Sequence, residues 1–189
     1  PDDTARLVEQ LGDTSITVIK RPAKLGLGSA YKAGFNQALL DGADWIVQMD
    51  ADLSHDPKDI LRFITAAASA DLVIGSRYVA GGAIQGWGLL RHAISRSAML
   101  FARAALRLPA KDVTSGFRLW RGELLRRVLR QPIHGNGYAF QEEMLFRAAQ
   151  ADARIEELPI LFTDRRVGQS KLSWKDVWEF FRLMVTLRR

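Results

Sequence analysis

The chain has 189 residues, the size of one ordinary domain, and its 48% hydrophobic and 25% charged residues exclude a disordered tail or a fibrous repeat. It contains no cysteine, which excludes disulfides and thiolate metal sites and fits a reducing compartment. The formal charge of +6 is uneven: residues 1–94 carry 9 basic and 11 acidic side chains, residues 95–189 carry 18 and 10, so the second half suits an anionic partner such as nucleic acid, a membrane surface or a phosphorylated substrate.

Apolar positions 5, 7, 8 and 11 predict a short helix over Thr4–Leu11, and the β-branched run Ser15–Ile19 predicts a strand. Gly26 and Gly28 interrupt the pattern, and a helix follows to about Leu40. Asp44–Asp50 reads as a buried strand with carboxylates at both ends. Asp56-Pro57 marks a helix start, with Asp as N-cap and Pro in the first turn, and this helix reaches about Ala68. Strand Asp71–Gly75 completes a third strand–helix repeat, the pattern of a parallel α/β sheet. Beyond Gly75 come a loop with Gly81, Gly82 and Gly86, a long helix Leu89–Leu108, a turn at Thr114–Gly116 and a strand Phe117–Arg121. Helices at Glu123–Leu129 and Phe140–Ala151 flank a Gly-rich loop at 135–137. Arg154–Phe162 reads as a strand, placed at a sheet edge by Pro159, and an amphipathic helix from Ser173 closes the chain. With no repeat, linker or apolar run of the roughly 18–20 residues that spans a bilayer, residues 1–189 read as one domain.

Several segments carry chemistry. Asp50-Ala-Asp52 follows an apolar strand, where open α/β sheets bind ligands, and two carboxylates there suit Mg²⁺ or Mn²⁺; they equally suit a solvated loop start. Lys24–Gly28 stands between a strand and a helix, either a phosphate-side loop or a tight turn, and it lacks the third glycine of a dinucleotide fingerprint. Arg77 follows strand 71–75, as a ligand contact or a surface arginine. Arg91 and Ser95 share a helix face and could clasp a phosphate, while Arg96, Arg103 and Arg107 share a second, displaced face that reads as solvated charge. Arg165–Lys171 concentrates donors in a loop that Gly168 can bend, either a closing loop over an anion or a flexible basic segment. The stripe Trp174, Val177, Trp178, Phe181, Met184 and Val185, widened by Phe180, Leu183 and Leu187, reads first as core and second as a membrane-surface face. His55, His92 and His134 have no zinc-ligand spacing, and there is no nucleophile elbow.

Together these segments resemble, in order, the polyprenyl-phosphate (dolichol-phosphate) mannose synthases of glycosyltransferase family 2. The matching pieces are Lys24–Tyr31, Met49–His55 with Pro57, Gly75–Tyr78, Asp112–Arg118, Gly137–Met144 and Arg165-x-x-Gly-x-Ser-Lys171. The resemblance implies a GT-A fold, three layers α/β/α around a mostly parallel sheet. It implies that Asp50 and Asp52 hold Mg²⁺ or Mn²⁺ and that Lys24, Gly28, Asp50, Arg165, Ser170 and Lys171 serve the donor diphosphate. Arg77, Arg91 and Ser95 match the acceptor-phosphate positions, Gln141 and Glu143 a pair near the sugar, and Asp52, Arg77 and Arg91 would carry catalysis. Ser54 stands where some relatives place a Gln metal ligand. Pro1–Thr4 resembles the tail of the family's Asp-Asp-x-Ser motif, so the family's first strands are expected to be missing from this sequence.

The implied reaction moves mannose from GDP-mannose to a polyprenyl monophosphate with inversion. The acceptor, a phosphate monoester with second pKa about 6, is already ionised and needs no protein base. The expected setting is the cytoplasmic face of a membrane, reached through the terminal helix or a separate anchoring protein or domain. UDP-glucose or another sugar nucleotide is the alternative donor. A dinucleotide oxidoreductase is disfavoured because the acidic ribose partner finds only Asp44 or Asp50, and a nucleic-acid binder because no such motif is present.

Overall fold

A computed structural model describes residues 3–135, 137, 139–164, 180, 182–184, 186 and 187. Its main sheet has the order β1-β4-β2-β5, made of β1 (Trp45–Gln48), β2 (Leu72–Ser76), β4 (Arg118–Arg121) and β5 (Ile155–Pro159). β4 pairs antiparallel with both β1 and β2, and β2 pairs parallel with β5, so three of the four strands point one way. A small parallel pair joins β3 (Ala83–Gln85) to β6 (Leu161–Thr163).

Side-chain alternation divides the core into two layers. From β2, Leu72 and Ile74 enter one cluster and Val73 the other; from β4, Trp120 and Leu119 divide the same way. The larger cluster receives Phe35 of α2 (Leu27–Leu40), Met99 and Ala102 of α4 (Leu89–Leu106), Leu124 and Leu125 of α5 (Gly122–Leu129) and Phe140 and Met144 of α6 (Ala139–Gln150). The smaller one receives Phe63 of α3 (Asp59–Ala66), whose ring packs 4.5 Å from that of Phe117. Each such fully buried side chain contributes about 1.5–3 kcal/mol. The result is the expected three-layer α/β/α arrangement. β2 is buried along its whole length because helices cover both faces.

Three expectations need correction. Ser15–Ile19 is not a strand: it follows α1 (Thr4–Glu9) without a ladder, and Ile16 and Ile19 are exposed. β-branching sets a local preference, but a strand needs a neighbour to pair with. The predicted strand 154–162 is two strands, because Ile160 bridges both sheets, donating its N–H to the Ser76 carbonyl and accepting from Ala83 N–H. Helix α3 starts at Asp59, because Asp56 and Pro57 form a turn in which the Asp56 carboxylate accepts the Lys58 N–H at 3.0 Å. β5 does lie at the sheet edge, with Pro159 at its last pair, where no ladder donor is needed. Helix α4 stops at Arg107, which adopts φ 51°, and Pro109 follows. Of the predicted terminal helix, Leu183, Met184 and Leu187 are helical and buried in the larger cluster, and the Phe180 ring lies tilted against Phe101, centroids 6.2 Å apart. The core reading holds for these residues, while Trp174, Val177, Trp178, Phe181 and Val185 lie outside the described residues.

Candidate active site

β1, β2 and the entry to β4 bring their ends to one edge of the sheet, the carboxyl edge of the parallel strands. Asp50 stands two residues beyond β1. Its Oδ1 accepts a hydrogen bond from the Tyr31 hydroxyl of α2 at 2.5 Å. Burial and the adjacent carboxylate keep Tyr31 protonated by raising its pKa far above the usual phenol value, so it is a fixed donor. Gly116 lies opposite: a Cβ there would sit 3.6 Å from Asp50 Oδ2 and 3.7 Å from Gln141 Nε2. The glycine thus leaves one face of the carboxylate uncovered by side chain. Gln141 is held from behind, its Oε1 accepting from Gln48 Nε2 at 2.9 Å, while Gln48 Oε1 accepts from Trp120 Nε1 at 3.2 Å.

Asp52 lies on the exposed loop that follows. Ser54 donates to its Oδ1 from both N–H, at 3.1 Å, and hydroxyl, at 2.5 Å, while Leu53 takes a left-handed φ of 65°. Ser54 therefore orients the second carboxylate. His55 is buried beneath the loop, stacked on Phe117 with ring centroids 4.9 Å apart. Its Nδ1 accepts the Asp50 N–H at 3.4 Å, and burial lowers its pKa against the pull of Asp50 and Asp52. The imidazole is neutral and supports the backbone of the acidic loop.

Two oriented carboxylates are hard oxygen donors. Among the described residues no cluster of three or more His, Asp or Glu side chains forms a cation cage. The pair instead fits an Mg²⁺-type ion that completes its shell with water and substrate phosphate, as such ions commonly do.

The predicted phosphate contacts are placed differently from one another. Arg77 is buried and forked onto Asp112, with Nε to Oδ2 and Nη2 to Oδ1 both at 2.8 Å, and it adds Thr114 Oγ1 at 2.6 Å. Instead of facing the edge as a free cation, it clamps segment 112–116, which contains Gly116, to the end of β2. Arg91 is 40% exposed, packs 4.3 Å over the Trp87 ring and donates to Asp164 Oδ2 at 2.6 Å. Ser95 lies one turn further along α4 and is half-buried. Lys24 is exposed, whereas Gly28 is buried in the first turn of α2, where a Cβ would meet Gly135 O and Phe140 Cδ2 at 2.8 Å. Packing alone already requires glycine at 28. Glu143 is fully buried, its Oε2 accepting the N–H groups of His134 at 2.8 Å and Gly135 at 2.6 Å. It shapes the loop before α6 while Gln141 reaches Asp50's side of the sheet. Arg165, Ser170 and Lys171 lie outside the described residues.

Sequence reasoning assigned no role to Tyr31, Gln48, Asp112 or Arg118. Arg118 is fully buried, donates to the carbonyls of Ser115, Gln141 and Val113 at 2.9–3.0 Å, and has its pKa lowered to about 10 by burial. Signals were available: Tyr31, Asp112 and Arg118 close or open the motifs Lys24–Tyr31 and Asp112–Arg118, and Gln48 is a polar residue within an otherwise apolar strand.

The family model for glycosyl transferase family 2 matches residues 1–129. The chain belongs to this family. Among curated members, it is 45% identical over 161 residues to undecaprenyl-phosphate mannosyltransferase of Micrococcus luteus, covering 85% of this chain and 66% of the relative. It is 38% identical over 183 residues to polyprenol monophosphomannose synthase of Mycolicibacterium smegmatis, covering 95% and 69%. The chain thus spans about two thirds of the length of these family 2 relatives. Glucosyl-3-phosphoglycerate synthase of Mycobacterium tuberculosis, crystallised with Mg²⁺ and UDP, shares the fold: TM-score 0.61 at 17% identity, covering 98% of this chain and 63% of that one.

Proposed function

We propose that this family 2 chain is the catalytic part of an inverting transferase that moves mannose from GDP-mannose to a polyprenyl monophosphate. The observation that carries the reading is the pair Asp50 and Asp52, held at the carboxyl edge by Tyr31 and Ser54. The two relatives, an undecaprenyl-phosphate mannosyltransferase and a polyprenol monophosphomannose synthase, support a mannosyl donor and a lipid-phosphate acceptor.

In this reading Asp50 and Asp52 hold Mg²⁺ or Mn²⁺, which would neutralise charge on the departing diphosphate. Arg165, Ser170 and Lys171 bind that diphosphate, and Lys24 lies on the nucleotide side. Arg91 and Ser95 receive the acceptor phosphate from α4, with Arg91 exchanging Asp164 for the ligand. Arg77 is a positioning residue, acting through Asp112 and segment 112–116. Gln141 meets the sugar, and Glu143 acts through the loop it shapes. The acceptor oxygen is already anionic, so the residues need only orient it in line with the anomeric carbon.

The same reading places the chain at a membrane surface. Among the described residues no helix is long and apolar enough to cross a membrane. Helix α4 instead exposes Leu89, Leu90, Ile94, Leu100 and Phe101 beside Arg96, Arg103 and Arg107, a composition suited to an anionic interface. The decisive test is a donor screen with one polyprenyl monophosphate acceptor. GDP-mannose should give labelled lipid phosphate sugar; turnover of UDP-glucose in its place would select the alternative donor.

A further inference from the structure

Helix α4 carries a second basic face, distinct from that of Arg91 and Ser95. Arg96 and Arg103 are seven residues apart, two turns and about 10 Å along the axis. With Lys111 they line a cavity of ≈ 320 Å³ that also touches Arg77 and Tyr78. Among the described residues no carboxylate lines this cavity. Elsewhere the arginines near the sheet ends are matched: Arg77 with Asp112, Arg91 with Asp164, Arg121 and Arg154 with Asp71. Arg96, Arg103 and Lys111 form no ion pair with a described residue. The Tyr78 hydroxyl, buried beside them, has no hydrogen-bond partner among the described residues.

We infer that this cavity is an anion site for a phosphate monoester, separate from the acceptor-phosphate position on the Arg91–Ser95 face. Three like charges converging on one recess repel one another, and an anion seated among them reverses the sign of that interaction. Arginine forks match phosphate oxygens in pairs, and the Tyr78 hydroxyl supplies the neutral donor. Arg77 is already neutralised by Asp112 and Glu157 accepts the Lys111 N–H at 2.7 Å, so the described residues leave the recess with a net cationic excess from Arg96, Arg103 and Lys111. That balance favours a dianionic monoester over a monoanionic diester. The phosphate can come from a free phosphomonoester or from a lipid headgroup at the interface where α4 exposes its leucines. Neither Arg91 nor Ser95 lines the recess, and Arg77, which does, is held by Asp112.

The full chain tests it by titration with inorganic phosphate, followed through the side-chain Nε–H resonances of Arg96 and Arg103. A parallel titration compares vesicles containing phosphatidic acid with vesicles of equal phosphatidylglycerol content. Saturable shifts with free phosphate assign a soluble ligand. Binding only to phosphatidic acid vesicles, at least about 10-fold tighter than to phosphatidylglycerol, assigns a headgroup. In either case Arg96→Gln/Arg103→Gln should weaken binding at least about 10-fold with the melting temperature unchanged, and Lys111→Gln serves if that variant is unstable. Absence of both responses, equal binding to the two vesicle types without any response to free phosphate, or an unaffected variant would overturn the inference.

Discussion

Arg77 distinguishes a structural clamp from a ligand contact, and Arg77→Lys is the perturbation that separates them. In the clamp, the guanidinium makes two parallel 2.8 Å bonds to Asp112 and a third to Thr114, with the arginine side chain 8% exposed and the carboxylate fully buried. Lysine keeps the charge but cannot reproduce the fork. Losing one charge-assisted bond and leaving a buried carboxylate oxygen poorly matched costs about 2–3 kcal/mol. For a chain of this size that lowers the melting temperature by roughly 5–10 °C. The control is Arg91→Lys, whose pair with Asp164 is part-exposed at 40% and 25%, and whose exchange should cost under about 1 kcal/mol. Urea unfolding followed by circular dichroism measures both. Arg77→Lys as stable as wild type, with only acceptor affinity reduced, would refute the clamp and return Arg77 to the phosphate.

Three further outcomes follow from the packing and the ionisation. Gly28→Ala should lower the urea midpoint by about 1–3 kcal/mol in stability, because the added methyl meets backbone oxygen and an aromatic ring at 2.8 Å; an unchanged midpoint would contradict the packing role. Tyr31→Phe removes the donor that fixes Asp50 and should weaken Mn²⁺ binding, read by electron paramagnetic resonance, by roughly 10-fold; no change would show that Asp50 needs no such restraint. Glu142 is fully buried and its carboxyl is pushed up to about 8 by desolvation. Below pH 4.5 it is protonated in both states; as pH rises toward 8 the unfolded chain ionises first, so folding loses up to about 5 kcal/mol across that window. Glu142→Gln should flatten that decline in melting temperature, and an identical pH slope would show that Glu142 is ionised in the fold.

Much of the fold was legible because its signals are local. Trp45–Gln48 and Leu72–Ser76 are apolar runs closed by the residues that reach the sheet edge, Asp50 and Arg77. The strands' order was not legible, because β4 enters between β1 and β2 from more than 40 residues downstream of β2. The acidic pair was visible as a motif, but the bond from Tyr31 was not: Tyr31 lies in the Lys24–Tyr31 motif, 19 residues away, as a hydroxyl on an otherwise core-facing ring. The same limit applies to the arginines. Residue type announced a cation at Arg77, yet its fate depends on Asp112, 35 residues on, and that of Arg91 on Asp164, 73 residues on. Glycines were ambiguous for a similar reason: Gly28 reads as part of a phosphate loop, while its close approach to Gly135 and Phe140 was not visible in the sequence.

The central claim is that Asp50 and Asp52 support sugar transfer to a lipid phosphate through a divalent ion. The direct measurement is labelled-mannose transfer from GDP-mannose to polyprenyl monophosphate, titrated with Mg²⁺ after chelation, for wild type and Asp52→Asn. The account predicts no transfer without the ion, recovery in wild type as Mg²⁺ is restored, and loss of at least about 100-fold in a folded Asp52→Asn variant. Undiminished transfer by that variant, or by chelated wild type, would contradict it.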